Sequence, residues 1–289
     1  MIRGLLLALA LSCPAAVRAQ ESEARPLWKS GARGTVGSAG YVGRGAYLQF
    51  GDVWRVKGSY SDYRFDASTG TTRTGSVRGA YQGANLAAGV TMSLTPRNDA
   101  YANRAFGADA GWTFLLATSD EPSGLEELEL GGWWTQTRHS QIVPAKAVFK
   151  TGRDIVINQH DLGLSAALTG WDFTLSLDAF RTLYDQDFSN LPAAAVRIPR
   201  LGQTASLVNS FPERGGAARL EYARWRACVP FVSVSTTKYK LQPQPASTTS
   251  AIGVALKSGG AGLDLGFERT HQAGAPDTRY FNFGGSFRF

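Results

Sequence analysis

The sequence predicts an all-β fold: an antiparallel transmembrane β-barrel of twelve strands, preceded by a signal peptide. Three observations predict it. Apolar and polar residues alternate with a period of two in segment after segment, as in strands with one oily and one wet face. Charged residues make up only 18% of the 289 residues, against about 25% in an average soluble domain. That balance suits strands with one side in hydrocarbon and the other in a polar lumen. Finally, the connections between segments alternate between short and long, as periplasmic turns and extracellular loops do in such barrels.

Residues 1–19 read as a secretory signal. Arg3 supplies the positive start, Leu5 to Leu11 the apolar centre, and Val17-Arg18-Ala19 the small-residue cleavage site before Gln20. A rival reading takes Ala10-Leu11-Ser12-Cys13 as a lipoprotein cleavage box, although Ala10 stands where that pattern prefers a branched aliphatic residue. Beyond this leader no run approaches the roughly 20 apolar residues that a spanning helix needs. Cleavage removes Arg3 and Arg18, so the formal charge falls by two, from +7 to +5. It also removes Cys13, leaving Cys228 alone and no intrachain disulfide. The exported chain then lacks the staples of small secreted domains and must be held by its backbone ladder. Its basic excess is scattered, which argues against a nucleic-acid partner.

Residues 20–44, rich in Gly, Ser and charge, are expected to form a periplasmic tail or a segment tucked into the barrel, with the barrel proper spanning 45–289. The first alternating segment covers 46–66. Leu48, Phe50, Trp54, Val56 and Tyr60 lie on one parity, and Gly51-Asp52 interrupts them, so this is a bulged long strand or a hairpin. Strands follow at 73–83, 86–95, 104–118 and 125–139. Leu86, Ala88, Val90, Met92 and Leu94 form an unbroken apolar face, as do Phe106, Ala108, Ala110, Trp112 and Phe114. Further strands are expected at 154–168 and 171–185, turned at Thr169-Gly170, with Leu162, Leu164, Phe173, Leu175 and Leu177 on the oily side. The stretch 186–214 carries Pro192, Pro199 and Pro212 and reads as a loop. The last strands are expected at 215–226, 228–240, 250–257, 261–271 and 279–289.

Alternation from one side to the other returns the chain end to its starting side after twelve strands, and an even count is the rule for single-chain bacterial barrels. A further hairpin over Thr35–Phe50 would make fourteen. A soluble sandwich also alternates, but it does not need apolar residues on the same parity in nearly every strand together with so few charges.

The final segment carries Phe281, Phe283, Phe287 and Phe289 on one face and Tyr280, Asn282, Ser286 and Arg288 on the other, ending on an aromatic. This terminal strand resembles the assembly signal of bacterial outer-membrane β-barrel proteins, and with the leader and the alternating strands it extends the resemblance over the whole mature chain. The resemblance implies insertion by the barrel-assembly machinery and residence among the lipids of a Gram-negative outer membrane. It implies no particular solute, because fold does not fix function.

If the oily parity faces lipid, the other parity lines the lumen. Basic Arg55, Lys57 and Arg78 lie on the early strands and Arg288 on the last. Acidic Asp109, Glu129, Asp161, Asp172 and Asp178 lie between 104 and 185, followed by Arg219, Glu221, Asp264 and Glu268. Closing the barrel sets a basic wall against an acidic one. Such a field across a water-filled channel would orient dipolar solutes and set ion preference. The competing reading is that these charges pair across a narrow, filled lumen.

Catalytic patterns are weak. Outer-membrane lipid hydrolases use a His and a Ser two apart on one strand face. Here His139 and Ser140 are adjacent and so point to opposite faces. His139, His160 and His271 are too sparse for a metal cluster, and no cofactor is expected. The expected function is a porin-like passive channel for small polar or ionic solutes. The alternatives are a non-conducting structural or surface-interaction barrel and, less well supported, a lipid-modifying enzyme.

Overall fold

The computed structural model describes residues 28–64, 71–98, 101–116, 124–143, 153–185, 211–225, 227–240 and 245–289. The expected signal peptide, residues 20–27 of the expected tail and most of the loop expected at 186–214 lie outside them. The first seven strands are β1 (Trp28–Gly37), β2 (Tyr41–Phe50), β3 (Trp54–Arg64), β4 (Thr72–Gln82), β5 (Leu86–Asn98), β6 (Tyr101–Leu115) and β7 (Leu125–Val143). The remaining strands are β8 (Arg153–Gly170), β9 (Phe173–Tyr184), β10 (Pro212–Tyr222), β11 (Cys228–Tyr239), β12 (Ser247–Ser258), β13 (Ala261–Gln272) and β14 (Thr278–Arg288). Each pairs with its sequence neighbour, and β1 pairs antiparallel with β14, so the sheet closes on itself. Closure matters because hydrocarbon offers no partner to a free strand edge.

The barrel therefore has fourteen strands among the described residues, not twelve. Two local features account for the difference. The segment 46–66 is a hairpin rather than one bulged strand. Gly51 turns with a φ of +100°, and a Cβ there would lie 1.9 Å from the Trp54 carbonyl oxygen. Only glycine fits so tight a corner. The second feature is that residues 28–44, expected as tail or plug, form β1 and the first part of β2 in the barrel wall. The glycine-rich β1 carries little apolar alternation of its own. At Gly34, opposite Phe283 across the seam, a Cβ would meet the Phe283 ring at 2.3 Å. The neighbouring strand thus covers the outer face that β1 lacks the side chains to fill.

Strand ends also differ from expectation. The connection expected at 95–103 contracts, because Asn98 pairs with Tyr101. β7 runs on through Val143 and β8 starts at Arg153, so they take the two edges of the loop expected at 140–153 and reach 19 and 18 residues, well beyond the 9–11 or so that cross a bilayer. β10 starts at Pro212, inside the segment expected as loop; at the first residue of a strand a missing N–H is tolerated. The turn expected at Thr169-Gly170 falls at Trp171-Asp172 instead, with φ values of 49° and 65°, the mirror-image turn that two-residue hairpins favour.

The expected parity holds. Leu164 is 72% exposed, Trp54 73% and Met92 64%, and Phe173, Leu175 and Phe283 are likewise exposed. None of these is packed in a central core: the oil is outside. At the end carrying Phe289, Trp54, Trp112, Trp171 and Trp225 are exposed. Trp28 contacts Phe50 at 4.7 Å between ring centroids, Trp54 contacts Tyr81 at 5.0 Å and Phe173 contacts Tyr222 at 4.9 Å. This aromatic girdle is what an apolar band flanked by interfaces requires.

Candidate functional site: the barrel lumen

Strand alternation places Arg55 and Lys57 of β3, Arg78 of β4, Asp109 of β6, Glu129 of β7, Asp161 of β8 and Asp178 of β9 on the parity opposite the exposed apolar set. Arg219 and Glu221 of β10, Asp264 and Glu268 of β13 and Arg288 of β14 follow the same rule. Asp172 does not line the lumen. It lies in the exposed β8–β9 turn, one residue before β9 begins, because the turn slipped two residues from its expected place.

The pairing register brings together cations far apart in sequence. Arg288 sits opposite Lys29, Lys29 opposite Gln49, Gln49 opposite Lys57 and Lys57 opposite Arg78. This is one cross-strand row on β14, β1, β2, β3 and β4. Lys29 and the nearby Arg33 were missed in the sequence because residues 20–44 read as a tail. Counting the period of two back from Thr35 through Arg33 and Gly31 to Lys29 would have found them. Tyr47 of β2 lies in the segment expected as strand, on the parity opposite Leu48, but an uncharged side chain gave no reason to single it out. Lys57 Nζ lies 4.4 Å from its ring centroid and Lys29 Nζ 6.0 Å.

Glycines shape the inner wall. A Cβ on Gly31 would meet Tyr47 at 2.5 Å, one on Gly163 would meet the Trp133 ring at 2.1 Å, and one on Gly253 would meet Phe231 at 2.4 Å. Each aromatic therefore lies flat over a glycine of the adjoining strand instead of standing out into the lumen. Arg219 stacks on Phe231 with its Cζ 3.7 Å from the ring centroid, and its Nε donates to Glu221 at 2.7 Å. Arg78 spans β5 to reach Asp109, with Nη2 donating to Oδ2 at 2.7 Å. Gly89 lies under the guanidinium, where a Cβ would come within 2.5 Å of it.

Toward the end opposite Phe289 the inner face changes character. Thr95, Tyr101, Asp161, Thr182, Tyr239 and Thr270 are all buried. Hydrogen bonds join these polar groups across strands: Thr74 to Thr95 at 2.7 Å, Tyr239 to Ser247 at 2.8 Å and Thr249 to Thr270 at 2.9 Å. On β6–β9 they form a chain. Tyr101 Oη meets His139 Nδ1 at 2.8 Å, His139 Nε2 meets Gln159 Oε1 at 3.0 Å, and Gln159 and Thr182 both donate to Asp161. Ser140 instead receives a hydrogen bond from Arg97 at 2.9 Å. His139 and Ser140 thus serve separate networks, and the pair is not a nucleophile and its base.

The barrel is similar to solved outer-membrane proteins. The structure described as "CymD monoaromatic hydrocarbon channel" superposes with a TM-score of 0.53 at 10% identity, covering 92% of this chain and 89% of that one. A structure of the NanC porin gives a TM-score of 0.45 at 11% identity over 90% of this chain and 100% of that one. The KdgM porin gives 0.44 at 6% identity over 90% and 99%. No protein-family model and no curated protein matches the sequence. The fold is that of an outer-membrane β-barrel protein. At these identities the likeness defines that class and no subfamily within it.

Proposed function

We propose that the mature chain resides in the outer membrane as a porin-like passive channel for small polar or ionic solutes. The observation that carries this reading is the Arg78–Asp109 pair, whose side chains stay 36% and 35% exposed on the inner face of a barrel with an oily exterior. Charges that water reaches inside a membrane-spanning cylinder line an aqueous path. Strand number agrees: eight strands make an interior that side chains fill, and sixteen to eighteen leave a channel. Fourteen, with its aromatics laid flat over glycines, falls toward the open end of that range. The buried polar belt that includes Tyr101, Asp161 and Tyr239 is the constriction of this path. The basic wall of β14, β1, β3 and β4 faces acidic Glu129, Asp161 and Asp178, and this sets ion preference. Insertion proceeds through the barrel-assembly machinery, with Phe289 at the closing seam.

The same belt favours a second reading, a non-conducting barrel that acts through its surface, with the long β7–β8 hairpin as the contact element. Planar-bilayer recording on refolded protein decides between them. Stepwise conductance is expected; silence at every voltage would overturn the channel and leave the second reading.

A further inference from the structure

We propose that the inner face of β14, β1, β3 and β4 is a binding track for small oxyanions, with Lys29 and Lys57 at its centre; this rests on the channel reading above. Residues Arg288, Lys29, Gln49, Lys57 and Arg78 occupy successive positions of one cross-strand row. Strands in such barrels tilt by about 40° and lie about 4.8 Å apart, so a row crossing four strand intervals climbs roughly 12 Å along the lumen axis. That is about half of an apolar band roughly 25 Å tall. The cations therefore form an ascending ladder rather than a single ring.

Most of the ladder's charge is uncompensated. Arg78 is neutralised by Asp109. Among the described residues no carboxylate lies within ion-pair distance of Lys29, Lys57 or Arg288. The acids facing this wall from β13, one strand beyond β14, are Asp264 and Glu268, and Asp264 Oδ2 lies 3.9 Å from where a Cβ of Gly284 would stand. These two carboxylates against Lys29, Arg33, Lys57 and Arg288 leave a net positive wall.

Local geometry adds a centre. Tyr47 stands on β2 between the two lysine-bearing strands and lies flat over Gly31, so both ammonium groups approach one ring. Two like charges held near one ring repel, and an anion between them relieves the repulsion. Gln49 lies between them in the row and can add an amide N–H. The donors are flexible ammonium groups rather than a rigid guanidinium fork, which suits an anion that must be held weakly enough to leave. Carboxylate and phosphate share this oxyanion chemistry.

The test uses the refolded mature chain, with acetate and inorganic phosphate as separate probes. Isothermal titration calorimetry on detergent-solubilised protein reads binding whether or not the protein conducts; reversal potential in a tenfold KCl gradient reads selectivity. Acetate or phosphate is expected to bind the wild type in the millimolar range, and binding should fall at least fivefold in Lys29→Gln/Lys57→Gln, or in Lys57→Gln alone should the double variant not fold. The acetate arm assigns carboxylates and the phosphate arm phosphates. The wild type is also expected to prefer anions, and the lysine variants to lose that preference. Glu129→Gln/Asp178→Asn, altered on the opposite wall, should strengthen it. No binding of either probe, or equal binding by wild type and variants, would overturn the track. Absence of conductance with binding intact would strike the channel reading and spare the track.

Discussion

Arg78 of β4 and Asp109 of β6 form a two-point ion pair over the backbone of β5, and the residue they straddle is Gly89. The pair takes one cation of the basic wall out of play and joins that wall to the first acid beyond it. Arg78 Nη1 also reaches Thr91 Oγ1 at 3.3 Å, so the guanidinium is held along the wall.

Asp109→Asn should therefore release the Arg78 charge into the lumen. The expected result is a shift of the KCl reversal potential toward anions with little change in unitary conductance. Gly89→Ala should act in the same direction, because its methyl group displaces the end of a flexible side chain rather than backbone. With both partners more than a third exposed, the stability change should stay within about 1 kcal/mol, measured by urea unfolding in vesicles.

Gly163→Ala should cost more. The added methyl would meet the Trp133 ring at 2.1 Å, and the indole must leave the wall. Overpacking of this kind costs about 1–3 kcal/mol, and the displaced ring should lower conductance. The Trp133 Nε1 is buried without a hydrogen-bond partner among the described residues. Trp133→Phe should for that reason be tolerated, and combined with Gly163→Ala it should recover part of the lost unfolding midpoint.

Leu164→Arg tests the solvent outside the barrel. Leu164 is 72% exposed on β8, which in water would make the change nearly neutral. In lipid an arginine near the middle of the apolar band costs about 2–4 kcal/mol. Reversible unfolding from phospholipid vesicles should show that loss, and an unchanged midpoint would contradict the lipid-facing assignment.

The β13–β14 turn should respond to acid. His271 Nδ1 donates to Asp277 Oδ1 at 2.8 Å, and Arg269 Nε donates to Oδ2 at 2.8 Å. These bonds, His271 first, hold the Asp277 carboxyl below the usual carboxylate range. A depressed folded value means the contribution is fully present above the unfolded carboxylate value and is lost as pH falls through the folded one. Protease cleavage at residues 273–277 should thus accelerate in wild type only at strongly acidic pH, whereas Asp277→Asn should be cleaved readily throughout. Identical pH profiles would show that these bonds do not hold the turn.

Much of the lumen was legible in the sequence because alternation carries it. Arg55, Lys57, Arg78 and Asp109 could be assigned to the inner face from their neighbours Trp54, Val56, Val77 and Phe106 alone. Asp172 could not, because a shift of two residues in the turn removes it from the strand without changing its parity. His139 could be separated from Ser140 by adjacency, but not joined to Tyr101 and Gln159, which belong to the two flanking strands.

The oily face of the strands that alternate is written in the sequence, since a period of two along Leu86–Leu94 or Phe281–Phe289 leaves no other sorting of side chains. The number of strands and the make-up of the basic wall come from contacts between distant parts of the chain. Gly34 reads as a gap until Phe283, 249 positions later, is folded over it. Lys29 has no place until β1 pairs with β14 and sets it beside Arg288. The outward pattern is local, whereas closure depends on backbone partners from opposite ends of the chain, which hydrocarbon obliges to meet.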